Sequence, residues 1–166
     1  MTSVVVVADT HMPVFSNKYP KALIKALKSA DLCIHAGDIT ESDIYNYLAS
    51  LCSIEAVAGN MDCLELKNSL PQNRLINIKG VKIFVTHGSG TPHDILERVH
   101  RQAKPLDPDI VVFGHTHKKF CEDYKGFRFL NPGSVTDPYG TSGKSYALIT
   151  IDKNDYEINF FDLEDR

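Results

Sequence analysis

The sequence predicts an α/β domain of two stacked sheets flanked by helices, and three observations carry that expectation. The N-terminal half alternates apolar runs with amphipathic stretches. From Lys119 onward the pattern changes to a two-residue period broken by tight turns. The 166 residues suit one domain better than two, so 1–166 is read as a single unit.

The elements follow in order. Ser3 to Ala8 (SVVVVA) is a continuous β-branched run, the pattern of a strand buried on both faces. A helix follows, with Leu23, Ile24 and Leu27 on one side and Lys21, Lys25 and Lys28 on the other. Asp31 to Ala36 is a second strand, Glu41 to Ala49 a second helix and Ile54 to Ala58 a third strand. This β-α-β-α-β order predicts a largely parallel sheet with right-handed crossovers.

Two strands come next, Arg74 to Ile78 and Val81 to Thr86, joined at Lys79-Gly80. The stretch from Lys67 to Arg74 reads as a loop, as does Ser89 to His93. A helix is expected to start with Thr91 as N-cap, Pro92 at its first position and Asp94 closing a weak capping box. It stops before Pro105, and Asp109 to Phe113 is another buried strand. Phe120 to Tyr124 with Phe127 to Leu130, and Ser145 to Ile151 with Tyr156 to Leu163, read as two hairpins.

Composition narrows the function. The chain is 43% hydrophobic and 23% charged with a net charge of −3, too balanced for a dedicated nucleic-acid or membrane surface. No apolar run approaches the roughly 18 residues of a membrane span. Met1-Thr2-Ser3 leads straight into a strand with no basic segment of a signal peptide, so a cytoplasmic location is expected. Cys33, Cys52, Cys63 and Cys121 form no CxxC pair, which favours reduced thiols over disulfides or a thiolate metal site.

The informative feature is where the polar residues fall. Five apolar strands each run into a short polar motif: Asp9-Thr10-His11, Gly37-Asp38, Gly59-Asn60-Met61-Asp62, His87-Gly88 and Gly114-His115-Thr116-His117. Ligands of α/β folds bind at the carboxyl ends of strands, so these groups are expected on one rim. Singly, most of the motifs are ordinary strand-ending turns; five in order at five strand ends are not. The rim would gather Asp9, His11, Asp38, Asn60, His87, His115 and His117, a nitrogen and oxygen donor set without cysteine. Such a set suits Mn²⁺, Fe²⁺, Zn²⁺ or similar ions. It exceeds one four-coordinate ion and fits two divalent ions bridged by a carboxylate. On an extended segment the ends of D-x-H and H-x-H would project to the same side. Three other histidines fall outside this placement: His35 reads as a hydrogen-bonded core residue, His93 and His100 as surface or lip residues.

These motifs, with Asn131-Pro132-Gly133-Ser134, resemble the calcineurin-like metallophosphoesterase superfamily, in particular its small single-domain bacterial and archaeal phosphodiesterases. The resemblance covers nearly the whole chain and implies a four-layer αββα sandwich of two mixed sheets flanked by helices. It implies a first metal held by Asp9, His11, Asp38 and His117, and a second held by Asp38, Asn60, His87 and His115. Mn²⁺ is the leading choice, with Fe²⁺, Zn²⁺, Ni²⁺ or Co²⁺ as alternatives. Asp38, Asn60 and His87 would serve catalysis through a metal-bridging hydroxide that attacks phosphorus. Formal counting leaves about one net positive charge at such a centre, which attracts a phosphate.

Two positions depart from the family pattern. Met61 stands where larger relatives carry a histidine able to protonate the leaving group, so esters whose leaving group departs unaided are expected to be favoured. Ser89 stands where relatives often show a histidine, and reads as a turn former. Asp62 reads as a brace for its loop, Asn131 and Ser134 as turn residues.

The expected activity is a phosphodiesterase acting on a small phosphoester or nucleotide. A phosphomonoesterase or nuclease using the same site is an alternative. So is a non-catalytic scaffold like the retromer subunit of this fold, which has lost part of the dinuclear set. A homodimer is one option for assembly.

Overall fold

The run of four buried valines sets the architecture. In β1 (Thr2–Val7), Val4 and Val6 face one way and Val5 and Val7 the other, and all four are buried. A strand buried on both faces needs a second layer on each side. The computed structural model describes residues 1–14, 16 and 18–163, and supplies both layers.

Parallel strands β2 (Leu32–His35) and β3 (Ile54–Ala56) continue from β1 on one side. Two later strands complete this first sheet on the other side. The remaining strands are β4 (Asn73–Ile78), β5 (Val81–Thr86), β6 (Ile110–Val112), β7 (Phe120–Tyr124), β8 (Phe127–Asn131), β9 (Ser145–Asp152) and β10 (Asp155–Asp162). The sheets run β10-β9-β1-β2-β3 and β4-β5-β6-β8-β7. In the second sheet β5, β6 and β8 are parallel, while β4 and β7 pair antiparallel at its edges.

Between the sheets lies one apolar core, with Val4, Val6, Ile34 and Ile149 from the first against Ile83, Val85, Ile110 and Val112 from the second. Helices α1 (Lys21–Ser29) and α2 (Ser42–Leu51) cover the outer face of the first sheet, where Leu23, Leu27 and Leu48 meet Val5, Val7 and Cys33. Helix α3 (Leu64–Ser69) lies near the β3 edge, with Leu66 beside Ala56 and Ile39. Helix α4 (Ile95–Ala103) covers the outer face of the second sheet, setting Ile95, Val99 and Ala103 against Phe84, Val111, Phe113 and Phe129. The four layers are the αββα sandwich of two mixed sheets flanked by helices. All four cysteines are free thiols, and no helix among the described residues is long and apolar enough to cross a membrane.

Some local expectations are corrected. The stretch from Lys67 to Arg74 contains the end of α3 and the start of β4, not a loop. The six-residue α3 buries only Leu66, too short a stripe to show a helical period. Thr91 makes no side-chain cap, and the chain enters α4 through a 3₁₀ turn at Pro92–Asp94. The Thr91 carbonyl instead accepts from Arg98 Nη2 at 2.6 Å. His100 is buried rather than exposed, because Phe127 and Tyr124 reach its ring at 5.6 and 6.0 Å and widen the covered face of α4.

His35 is a core residue, as expected, with a defined task. Its Nδ1 accepts from the Gly37 N–H (3.2 Å), so Nε2 carries the hydrogen and donates to Thr10 Oγ1 (3.2 Å). Thr10 Oγ1 in turn donates to the Asp38 carbonyl at 3.3 Å. The chain ties the loop after β1 to the loop after β2 and requires a neutral imidazole. Burial, with the neighbouring His87, lowers the His35 pKa from 6.5 to about 3. The unfolded chain therefore takes up a proton below pH 6.5 that the folded protein excludes. Stability is unaffected above that pH and declines toward pH 3, by at most about 1.4 kcal/mol per pH unit from this group. Urea midpoints of metal-free protein between pH 7 and 5.5 should show this decline, shallower in His35→Asn; equal slopes would contradict it.

Candidate metal centre

Each parallel strand delivers its polar motif to the same rim, where the loops of the two sheets meet. Asp9 and His11 follow β1, Asp38 follows β2, Asn60 follows β3, His87 follows β5, and His115 and His117 follow β6. The D-x-H and H-x-H segments are not extended. Asp9, His11, Asp38, His115 and His117 all sit in left-handed backbone, with φ of 51°, 44°, 57°, 69° and 58°. Non-glycine residues pay about 1–3 kcal/mol each for sparsely populated backbone, and such residues cluster at functional sites. Here they curl each loop so that both ends face inward, which an extended segment at the rim would not do.

The side chains converge. His11 Nε2 lies 3.2 Å from His117 Nε2, 3.8 Å from Asp9 Oδ1 and 3.6 Å from Asp38 Oδ2. His117 Nε2 is 3.5 Å from Asp9 Oδ1. On the other side of Asp38, His87 Nε2 is 3.2 Å from Oδ2 and 3.0 Å from Asn60 Oδ1. Asp38 Oδ2 thus stands between His11 and His87. Ligand atoms lie within 4.8 Å of one another in two groups, Asp9 with His11 and His117, and Asp9 with Asp38 and His87. His115 joins neither group but flanks the second, its ring 5.3 Å from that of His87.

Backbone groups aim these side chains. The Ala36 carbonyl takes the Nδ1 hydrogen of His87 at 2.8 Å, which turns Nε2 toward Asp38. The Gly90 carbonyl takes the Nε2 hydrogen of His115 at 2.7 Å and leaves Nδ1 for a ligand. The Met61 N–H donates to Asp38 Oδ1 at 2.7 Å, and the His115 N–H to Asp9 Oδ2 at 3.0 Å. Asp62 braces the Asn60 loop by accepting from the N–H groups of Gly59 (2.6 Å) and Thr40 (2.7 Å). Glycine is required where the loops touch. A Cβ on Gly59 would meet Asp38 Oδ1 at 2.1 Å, and one on Gly37 would meet His87 Nδ1 at 2.7 Å.

Asn131 and Ser134 do more than shape a turn. The Asn131 amide donates to the Gly114 carbonyl (2.8 Å) and to Thr116 Oγ1 (3.1 Å), while Ser134 Oγ donates to the Asp9 carbonyl at 2.8 Å. Asn131 thus holds the loop after β6 to the end of β8 within the second sheet, and Ser134 fastens that segment to the loop after β1 in the first. The signal was present in the sequence, since Asn131 ends β8, a sixth strand running into a polar motif. Ser89 is exposed beside His87 and makes no side-chain hydrogen bond among the described residues. Tyr139, which the sequence did not single out, lays its ring on His117 at 5.1 Å and is otherwise 69% exposed.

The charges fit cations. Asp9 and Asp38 are buried, and no Lys or Arg pairs with either among the described residues. Burial pushes the Asp38 carboxyl up, but the hydrogen bond and charge of His87, the Met61 N–H and His11 outweigh it and hold it below the usual range. Burial lowers the His11 pKa below 6.5, although the charges of Asp38 and Asp9 pull it up, which favours a neutral imidazole able to ligate a cation. Ions bound at about 2.0–2.2 Å separate their ligands by about 3–3.5 Å, close to the spacing found here. The residues therefore suit divalent cations.

A model of the calcineurin-like phosphoesterase superfamily domain matches residues 2–154. The chain belongs to that superfamily. A probable metallophosphoesterase of Methanothermobacter thermautotrophicus is 34% identical over 155 residues, covering 92% of this chain and 89% of its own. The vacuolar protein sorting-associated protein 29 of Schizosaccharomyces pombe is 33% identical over 139 residues, with 80% and 72% covered. In shape the chain is similar to Vps29 of Chaetomium thermophilum, with a TM-score of 0.81, 21% identity and 97% of each chain covered. The superfamily implies divalent metal at this site.

In the metal-free protein, burial lowers the His87 pKa but the hydrogen bond to Asp38 and the charges of Asp9 and Asp38 raise it more, to about 9. A cation at Nε2 must displace that proton, so Mn²⁺ affinity should rise with pH up to about 9 and binding at pH 7.5 should release protons. Calorimetry in two buffers of different ionisation enthalpy reads the release. Its absence would remove His87 from the ligands.

Proposed function

We propose that this chain is a dinuclear, metal-dependent phosphodiesterase acting on small phosphoesters or nucleotides as a single cytoplasmic domain, with Mn²⁺ the leading metal. The observation that carries the reading is Asp38, whose Oδ2 lies 3.6 Å from His11 on one side and 3.2 Å from His87 on the other. A carboxylate so placed suits a bridge between a first site of Asp9, His11 and His117 and a second of Asn60, His87 and His115. Bound there, a pair of divalent cations supplies a nucleophile from water near neutral pH and offsets charge on the phosphoryl oxygens.

The chain's own residues do the rest. Left-handed loops hold the donors before substrate arrives, so little reorganisation accompanies the reaction. His87 and His115 are locked through backbone carbonyls, and the Met61 N–H fixes Asp38. The Met61 side chain is 57% exposed beside Asn60 and carries no proton to donate, so the leaving group departs without an acid from that position.

Similarity to Vps29 favours a second reading, a scaffold without catalysis. The retention of both carboxylates and all five nitrogen or amide donors, with their supporting hydrogen bonds, speaks for the enzyme.

Metal-stripped protein reloaded with Mn²⁺ should hydrolyse bis-p-nitrophenyl phosphate faster than p-nitrophenyl phosphate. Asp38→Asn should lower kcat by about a hundredfold or more at saturating Mn²⁺. Met61→His should raise alkyl-ester rates relative to aryl-ester rates. Full activity in Asp38→Asn would overturn the bridging role of Asp38, and no activity in the wild type with any divalent metal would favour the scaffold.

A further inference from the structure

A cleft of about 270 Å³ opens from the second half of the centre, with Asn60 and His87 at its metal-facing end. Its walls come from elements the core does not explain. Lys67 lies on α3, Gln72 and Asn73 at the entry to β4, and Gln102 on the last turn of α4. Asn73 and Thr86 are register partners across β4 and β5, so they share that end of the second sheet.

The lining chemistry is one-sided. Beyond Asn60 and His87 at its metal-facing end, it holds three amide side chains, the hydroxyls of Thr86 and Ser89, and one ionised group, Lys67, with no carboxylate and no phenyl, phenol or indole ring. Thr86 Oγ1 donates to Gln102 Oε1 at 3.2 Å, leaving the Gln102 NH₂ available. Lys67 Nζ donates to the Asn60 carbonyl at 2.7 Å, which uses one of its three hydrogens and parks the ammonium beside the candidate ligand. The remaining donors serve oxygen acceptors. A cationic arm would meet Lys67 unopposed, and an aryl arm would strip water from amides without replacing their hydrogen bonds.

We propose that this cleft is the subsite for one ester arm of the substrate, and that it selects an oxygen-rich arm of the sugar or nucleoside class through Lys67 and Gln102. The inference rests on the phosphodiesterase reading and deepens it. The cleft lies at the small end of ligand pockets, which suits a mononucleotide-sized arm and not a long strand.

The test has a binding half and a kinetic half. In the binding half, thymidine 5′-monophosphate is titrated into ¹⁵N-labelled metal-free protein. The side-chain amide signals of Gln72, Asn73 and Gln102 should shift, and Gln102→Leu and Lys67→Met should each weaken binding by about fivefold to tenfold, the worth of one hydrogen bond. Shifts confined to other surfaces, or variants that bind as the wild type does, would overturn the proposal. In the kinetic half, three substrates share the p-nitrophenolate leaving group and differ in the retained arm: the thymidine 5′-phosphate ester, bis-p-nitrophenyl phosphate and p-nitrophenyl phosphorylcholine. KM should be lowest for the thymidine ester, and Gln102→Leu should reduce its kcat/KM advantage over the aryl diester. Turnover of all three with equal KM would overturn the subsite while leaving the phosphodiesterase. Nucleotide binding in the cleft without metal-dependent turnover of any ester would overturn the phosphodiesterase and keep the binding site.

Discussion

Two buried carboxylates without a lysine or arginine partner among the described residues govern this structure. Asp9 and Asp38 follow neighbouring parallel strands and lie inside the rim where the sheets meet. An ionised carboxylate in such a place is costly unless a cation or several hydrogen bonds offset it. What surrounds the pair is imidazole, one amide and backbone N–H, and in the metal-free protein His87, its pKa raised to about 9, sets one positive charge against the two carboxylates. The arrangement is stable with one histidine protonated and better satisfied by divalent ions.

Much else in the fold serves that requirement. The apolar strands of both sheets end at one rim because each sheet contains three parallel strands, β1-β2-β3 in the first and β5-β6-β8 in the second, and the core between them fixes how far apart the loops start. The loops then adopt left-handed backbone at five of the seven candidate ligands. The His35–Thr10–Asp38 chain joins two loops of the first sheet, Asn131 holds the loop after β6 within the second, and Ser134 joins the second sheet to the first. Strain in the loops is thus balanced by hydrogen bonds that the core holds in place.

The layers were legible because apolar patterning is a two-sided record: Val4 to Val7 buried on both faces announces a layer above and below. The rim was legible because each motif follows an apolar run. What escaped was of two kinds. Short elements such as α3 expose most of their residues and leave no period to read. Backbone contacts leave no residue type at all: nothing about Met61 signals that its N–H holds Asp38, or about Ala36 and Gly90 that their carbonyls orient His87 and His115. The left-handed turns were hidden for a related reason, since Asp and His in that backbone look no different in sequence from Asp and His in a strand. His100 was misplaced because its cover comes from Tyr124 and Phe127, distant in the chain.

The central claim is that Asp38 stands between two cations. Crystals grown with excess Mn²⁺ and measured at the manganese absorption edge test it directly. The account predicts two anomalous peaks on either side of the Asp38 carboxylate, one near His11 and His117, the other near Asn60, His87 and His115. A single peak, or two peaks that leave Asp38 uncoordinated, would contradict it.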